Sequence, residues 1–154
     1  MDCYTLYPAP MGQIVITARE GAVIRLEFGR VPEGKTYHPE ALPLTQACRW
    51  LDAYFAGERP DPDSVPIQLV GTPFQNAVWA LLRAIPYGET VTYGQLARQL
   101  GPAMSAQAVG QAVGRNPVSI LVPCHRVIGA GGKLTGYAGG LDKKYALLRL
   151  EGAI

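Results

Sequence analysis

Cysteine and histidine are scarce in this chain, with three of one and two of the other among 154 residues. Cys3, Cys48 and Cys124 form an odd, widely spaced set, which excludes a disulfide framework and suits a reducing compartment. No CxxC or HxxxH spacing occurs, so a zinc site is not expected, and no other metal is called for. Long apolar runs are missing too: nothing approaches the roughly 20 residues needed to span a bilayer. An acid at Asp2 and the lack of an apolar segment behind it exclude a signal peptide. These absences describe a soluble, cytoplasmic protein without a membrane partner. Acids become rare after residue 70. Only Glu89, Asp142 and Glu151 stand against eight Lys/Arg there, a balance of +5, whereas residues 1–70 carry nine acids and six bases, a balance of −3. A basic second half is where a polyanion would be met.

What is present allows one good core or two small ones, since 48% of the residues are hydrophobic. The first third reads as strands at 4–7, 13–19 and 22–28, rich in β-branched and aromatic residues, with Gly12 and Gly21 at the turns. Leu44, Ala47, Cys48, Leu51, Tyr54 and Phe55 then fall at helical spacing, and Gly57 stops that helix. On this face Cys48 is a small buried hydrophobe. The stretch 58–66, with three prolines and three acids, reads as a linker between a domain at 1–66 and another at 71–154.

Beyond the linker the pattern turns helical. Thr72-Pro73-Phe74-Gln75 is a capping box with proline at the first helical position, and Phe74, Ala77, Val78, Leu81, Leu82 and Ile85 make one stripe ended by Pro86. Thr92-Tyr93-Gly94-Gln95 repeats the box and opens a short helix stopped at Gly101-Pro102. A third helix runs from about Ser105 to Gly114, with Val109, Ala112 and Val113 inward. Two short helices joined by a tight turn resemble a helix-turn-helix. The other face of the third helix is smooth. Gly110 and Gly114 each cost about 1 kcal/mol relative to alanine, which close helix packing explains as well as approach to a nucleic-acid groove does.

The chemistry gathers around Pro123-Cys124-His125-Arg126-Val127, which reads as the end of an apolar strand from Val118 to Val122. A thiol beside an imidazole is a nucleophile in waiting, provided a third group fixes the imidazole tautomer. Among the three late acids, Glu89 lies in a turn and Asp142 reads as the cap of the last helix, whose inward face is Leu141, Tyr145 and Leu148. That leaves Glu151. Asn116, fixed by Pro117, either braces the segment before the cysteine or makes a plain Asn-Pro turn. His38 lies in a Pro/Gly-bearing loop and reads as an inert surface residue. A regulatory helix-turn-helix protein and a cysteine hydrolase both remain open on these residues alone.

From Gly71 onward the chain resembles the methylated-DNA–protein-cysteine methyltransferases, also called O6-alkylguanine-DNA alkyltransferases. The resemblance is carried by GTPFQNAVW (71–79), IPYGETVTYGQLA (85–97), AVGQAVGRNP (108–117), ILVPCHRVIG (120–129) and GYAGGL (136–141). It implies an α+β fold, with a small ribonuclease-H-like sheet domain carrying a helix, followed by a helical, winged-helix-like domain with the helix-turn-helix. It also implies a monomer that flips O6-alkylguanine, with O4-alkylthymine as a second lesion, from double-stranded DNA and moves the alkyl group onto Cys124 once, without a cofactor. His125 would take the thiol proton through water, Glu151 would orient the imidazole, Asn116 would brace the turn, and Tyr93 would offer its hydroxyl to the departing base. Backbone groups near Val127 and Ala138, with Tyr137 as an apolar wall, would complete the base pocket. Ala106, Gln107, Gly110, Gly114 and Arg115 would meet the DNA. Many members carry arginine where this chain has Gln107, so base flipping is expected to be less favourable here, with Arg115 compensating in part. Relatives that bind alkylated DNA without repairing it replace the cysteine, which this chain keeps.

Overall fold

The computed structural model describes residues 2–154, which divide into two compact units, one ending at Val70 and the other beginning at Gly71. The first is built on a sheet of β1 (Cys3–Ala9), β2 (Gly12–Arg19), β3 (Ala22–Phe28) and β4 (Thr36–Tyr37) in the order β3-β2-β1-β4. β1 and β2 form an antiparallel hairpin in continuous register from Cys3 opposite Ala18 to Ala9 opposite Gly12, and β4 runs parallel to β1. Central β2 buries Ile14 through Ala18 without interruption, so its sequence lacks the alternation of a half-exposed strand. One helix, α1 (Leu42–Phe55), packs Leu44, Ala47, Trp50, Leu51 and Tyr54 against β1–β3. Cys48, expected to be buried on that face, is only half-buried beside it.

The stretch 58–66 is not a loose linker. Asp61 caps a 3-10 turn at Pro62–Ser64 and its carbonyl accepts the Trp50 indole N–H at 3.1 Å. Val65 is buried, the Val23 N–H donates to the Pro66 carbonyl at 2.8 Å, and the Gln68 N–H donates to the Val23 carbonyl at 2.9 Å. The prolines and acids misled because they decorate a segment whose backbone groups bind the edge of β3.

The second unit begins with α2 (Pro73–Arg83), whose predicted capping box is complete at both bonds, Thr72 to the Gln75 N–H and Gln75 to the Thr72 N–H. Its inward residues are Val78, Trp79 and Leu82; Ala77 faces out and Trp79, absent from the predicted stripe, faces in. The Trp79 indole N–H donates to the Ala112 carbonyl at 2.9 Å. Its ring lies so close to Gly71 that a Cβ there would stand 2.5 Å from the ring, so the opening glycine of GTPFQ is a packing requirement. α2 stops at Arg83, because Pro86 pushes the residue before it out of the helical region.

A two-residue parallel pair, β5 (Val91–Thr92) and β6 (Val127–Ile128), sets Val91 opposite Val127. From it springs α3 (Tyr93–Leu100), capped by the second predicted box. Gly101 (φ 148°, ψ 161°) holds a conformation essentially reserved for glycine and turns the chain toward α4 (Ala106–Gly114), capped by Ser105. The predicted helix-turn-helix is therefore present. The last helix, α5 (Leu141–Leu150), departs from expectation in two ways. Gly140 is its cap, while Asp142 sits in the first turn bonded to Lys143, and its buried residues are Lys144, Leu147 and Leu148 while Leu141 and Tyr145 are exposed. Among the described residues no helix is long and apolar enough to cross a membrane.

Candidate functional site

The segment before the cysteine is a knot of turns and not a strand. The Ser119 and Val122 pair is an isolated bridge, the Leu121 N–H donates to the Ser119 carbonyl at 2.8 Å, and Ile120 has φ 71°, a strained value for a β-branched residue. Asn116 holds this knot from below. Its Nδ2 donates to the Val122 carbonyl at 2.8 Å and its Oδ1 accepts the Val118 N–H at 3.0 Å, so it braces the turn by its side chain. Cys124 then opens a 3-10 turn of Cys124–Arg126, with its own N–H bonded to the Val122 carbonyl.

Cys124 is 8% exposed. Burial pushes its thiol up; Asn116, the charge of Lys144 and Ser119 pull it back. The resting sulfur is therefore a thiol at neutral pH, and reaction requires a base. His125 is completely buried, with Nε2 2.6 Å from Glu151 Oε2. That contact places the ring proton on Nε2, and Nδ1 is buried without a hydrogen-bond partner. Burial also holds this imidazole below the usual histidine range, despite the opposing pull of Glu151.

Three elements supply the surrounding groups. From α3, half-buried Tyr93 donates its hydroxyl to the Thr135 carbonyl at 3.3 Å, and burial raises its phenol, so it remains a proton donor at neutral pH. From the glycine-bearing loop before α5, Tyr137 presents a buried hydroxyl without a partner, its phenol pushed well up chiefly by burial. From α5 comes Lys144, which the sequence reading missed. Its ammonium donates to the Thr135 carbonyl at 2.7 Å, lies 5.9 Å from the Tyr93 ring centroid, and is lowered by burial to about 8. The spacing of Lys144, Leu147, Leu148 and Glu151 places all four on one helical face, and that was the available signal.

A small pocket opens onto the sulfur, lined by Val113, Gly114, Asn116, Ser119, Cys124, Gly136, Tyr137 and Ala138. Four predicted site residues and Gly114 therefore converge, joined by Ser119 and Gly136. Val127 does not line it; it is fully buried in the pairing with Val91. Ala106, Gln107, Gly114 and Arg115 lie exposed on α4 and its cap, and a Cβ at Gly110 would lie 3.6 Å from the Tyr93 ring, in ordinary contact. An open groove of Thr72, Phe74, Gln75, Ala108, Gln111, Ala112, Gly114 and Arg115 runs beside this face. No cluster of three or more His, Cys, Asp or Glu suited to a metal occurs among the described residues.

This arrangement can be set beside known proteins. A family model described as the 6-O-methylguanine DNA methyltransferase DNA binding domain matches residues 73–153, and one described as the ribonuclease-like domain of the same protein matches residues 3–69. A methylated-DNA–protein-cysteine methyltransferase of Methanosarcina acetivorans is 46% identical over 156 residues, covering 97% of this chain and 98% of that protein. One from Mycobacterium bovis is 47% identical over 152 residues, with 96% and 91% covered. Among solved structures, the Mycobacterium tuberculosis O6-methylguanine methyltransferase superposes with a TM-score of 0.89 at 44% identity, covering 99% of this chain and 94% of that one. The same organism's OGT in complex with DNA matches equally, over 98% and 93%.

Proposed function

The chain belongs to the 6-O-methylguanine DNA methyltransferase family, and from that premise we propose how its own residues carry out repair of O6-alkylguanine in DNA by transfer of the alkyl group to Cys124. The observation that carries the reading is the buried thiol of Cys124 beside a buried His125 whose Nε2 is held by Glu151 and whose Nδ1 is unoccupied by any protein partner.

The lesion's alkyl group lies inside the duplex, so the base must leave the stack, at a cost that is smallest for a poorly paired base. The basic balance of residues 71–154 and the exposed, small-residue face of α4 suit approach to DNA, with Ala106, Gln107, Gly110, Gly114 and Arg115 facing it. The flipped base enters the pocket of Asn116, Ser119, Tyr137 and Ala138. The Cys124 thiol proton passes through a water to His125 Nδ1. The sulfur forms a bond to the alkyl carbon while the bond from that carbon to guanine O6 breaks, and the released electron pair moves into the purine. Tyr93, kept protonated by burial, donates to the ring nitrogen where that charge collects. The Lys144 ammonium supports the transient thiolate. The reaction balances with thiol, alkylated base and proton relay alone, and the thioether product has no bond that water readily cleaves. Each molecule therefore acts once, and the reaction calls for no second copy of the chain. The free cysteines fit a cytoplasmic setting.

The test is a duplex carrying one O6-methylguanine with a labelled methyl group. Irreversible transfer of one label per protein, abolished by Cys124→Ser, is the expected outcome. Repeated release of label would indicate a cysteine hydrolase, binding without transfer a non-catalytic reader of damaged DNA, and either result overturns the reading. O4-methylthymine in the same duplex measures the second lesion.

A further inference from the structure

Arg126 follows the Cys-His pair and is only 8% exposed, an unusual position for a guanidinium that touches no substrate pocket. Every arm of it is used. Nε donates to Glu151 Oε1 at 2.8 Å and a terminal nitrogen donates to Glu151 Oε2 at 3.1 Å, a side-on bidentate pair. The other terminal nitrogen donates to the Ile85 carbonyl, just past α2, at 2.7 Å. Its carbon lies 5.7 Å from the Tyr87 ring centroid. Glu151 is equally committed: besides Arg126 and His125 it accepts the Gly88 N–H at 3.2 Å, and its side chain is wholly buried.

A carboxylate buried beside a histidine has two ways to fail. It can take the proton itself, or it can rotate and leave the imidazole free to change tautomer. A bidentate guanidinium blocks both. We propose that Arg126 is a positioning residue for alkyl transfer: it clamps Glu151 as an anion in one orientation, so that Glu151 fixes His125 as the Nε2–H tautomer and leaves Nδ1 to accept the thiol proton. The clamp also sets the charge of the relay. With Arg126, the Glu151–Arg126 pair is neutral, and an imidazolium adds one positive charge to it. Without Arg126, the imidazolium would neutralise a lone buried carboxylate, and protonation of the relay becomes easier. The charged groups acting on the imidazole are Glu151 and Lys144 from α5 and Arg126 from its own turn. The other titratable neighbours of the site are Cys124, Tyr93 on α3 and Tyr137 on the loop.

The proposal rests on the alkyl-transfer reading, and its test separates the two by reading the imidazole directly as well as the reaction. The chain has only two histidines, so the His125 ring signals are followed by NMR against His38 across pH, and the single-turnover transfer rate is measured over the same range. Arg126→Gln is expected to raise the His125 midpoint, and the acid limb of the rate profile with it, by about one pH unit or more. Arg126→Lys keeps the charge and loses the fork; its midpoint stays near the wild-type position and transfer slows about tenfold. A side chain that merely fills space would move neither midpoint. An unshifted His125 midpoint in folded Arg126→Gln overturns the proposal. If that variant does not fold, Arg126→Lys decides: a shifted midpoint or a wild-type rate overturns it. A shift in His125 with no alkyl transfer in the wild type would instead sink the alkyl-transfer reading and leave the clamp standing.

Discussion

Replacing Lys144 with methionine keeps its length and removes its charge. The ammonium is fully covered by the chain, with its bonds to the Thr135 and Gly136 carbonyls at 2.7 and 3.5 Å, and burial lowers it from 10.5 to about 8. The folded value is depressed, so between about pH 8 and 10.5 the unfolded chain holds a proton that the folded chain has released. Wild-type stability contributed by this group therefore rises with pH through that window and is lowest below pH 8. The slope is about 1.4 kcal/mol per pH unit, or roughly 3 kcal/mol across the whole shift. Thr135 and Gly136, whose carbonyls hold the ammonium, are themselves exposed, and screening by the solvent around them trims the expected gain to roughly 2 kcal/mol. Lys144→Met has no such dependence, and both proteins carry Cys124→Ser, because the Cys124 thiol is coupled to the Lys144 charge and its titration would not cancel in the difference. Urea unfolding is followed by Trp79 fluorescence in a Trp50→Phe background, so that the signal comes from the unit beginning at Gly71. Wild type should gain on the variant steadily from pH 8 to 10.5. A difference that stays flat, or that falls, refutes the placement of a charged lysine away from water.

Gln107→Arg on the exposed first turn of α4 adds a cation to the surface proposed to meet DNA. It should tighten binding to duplex DNA and steepen the salt dependence by about 0.9 in the log–log slope, with faster alkyl transfer; if neither affinity nor rate improves, Gln107 is not a handicap. Asn116→Ala strands the Val118 N–H beneath the strained Ile120 and leaves the Val122 carbonyl with the Cys124 N–H alone. It should cost about 1–3 kcal/mol in urea unfolding and slow transfer, whereas a loss below about 0.5 kcal/mol at wild-type rate would show that the turn holds itself.

Local signals were legible in the sequence to the residue. Thr72 with Gln75 and Thr92 with Gln95 need only four consecutive residues to form their boxes, and both formed. The run from Val118 to Val122 reads as a strand because four apolar residues in five look alike in a strand and in a buried turn. What separates them is Asn116, whose two bonds reach across the run from outside it. Lys144 and Arg126 were missed for a related reason. A cation is expected at the surface, and what brings each inside is a carbonyl or carboxylate far along the chain, Thr135 and Gly136 for one, Ile85 and Glu151 for the other. The stretch 58–66 shows the reverse error, since its composition is that of a spacer while its Asp61 carbonyl holds the Trp50 indole and its Pro66 carbonyl pairs with Val23. His125 and Glu151 were found through the motif and the shortage of late acids; their 2.6 Å contact is a property of the fold.

The β5–β6 rung has a consequence for how such a protein can diversify. It joins the residue before Tyr93 to the residues just after the Cys-His-Arg turn, so the Tyr93 phenol and the Cys124 thiol are carried on one frame of backbone bonds. Tyr137 and Ala138 belong to a separate stretch with glycines at 131, 132, 136, 139 and 140, fastened through Lys144 at Thr135. The two stretches meet at Thr135, whose carbonyl accepts both the Tyr93 hydroxyl and the Lys144 ammonium. A substitution in the glycine-bearing wall that displaces Thr135 is therefore felt at the Tyr93 phenol as well as at the Lys144 ammonium.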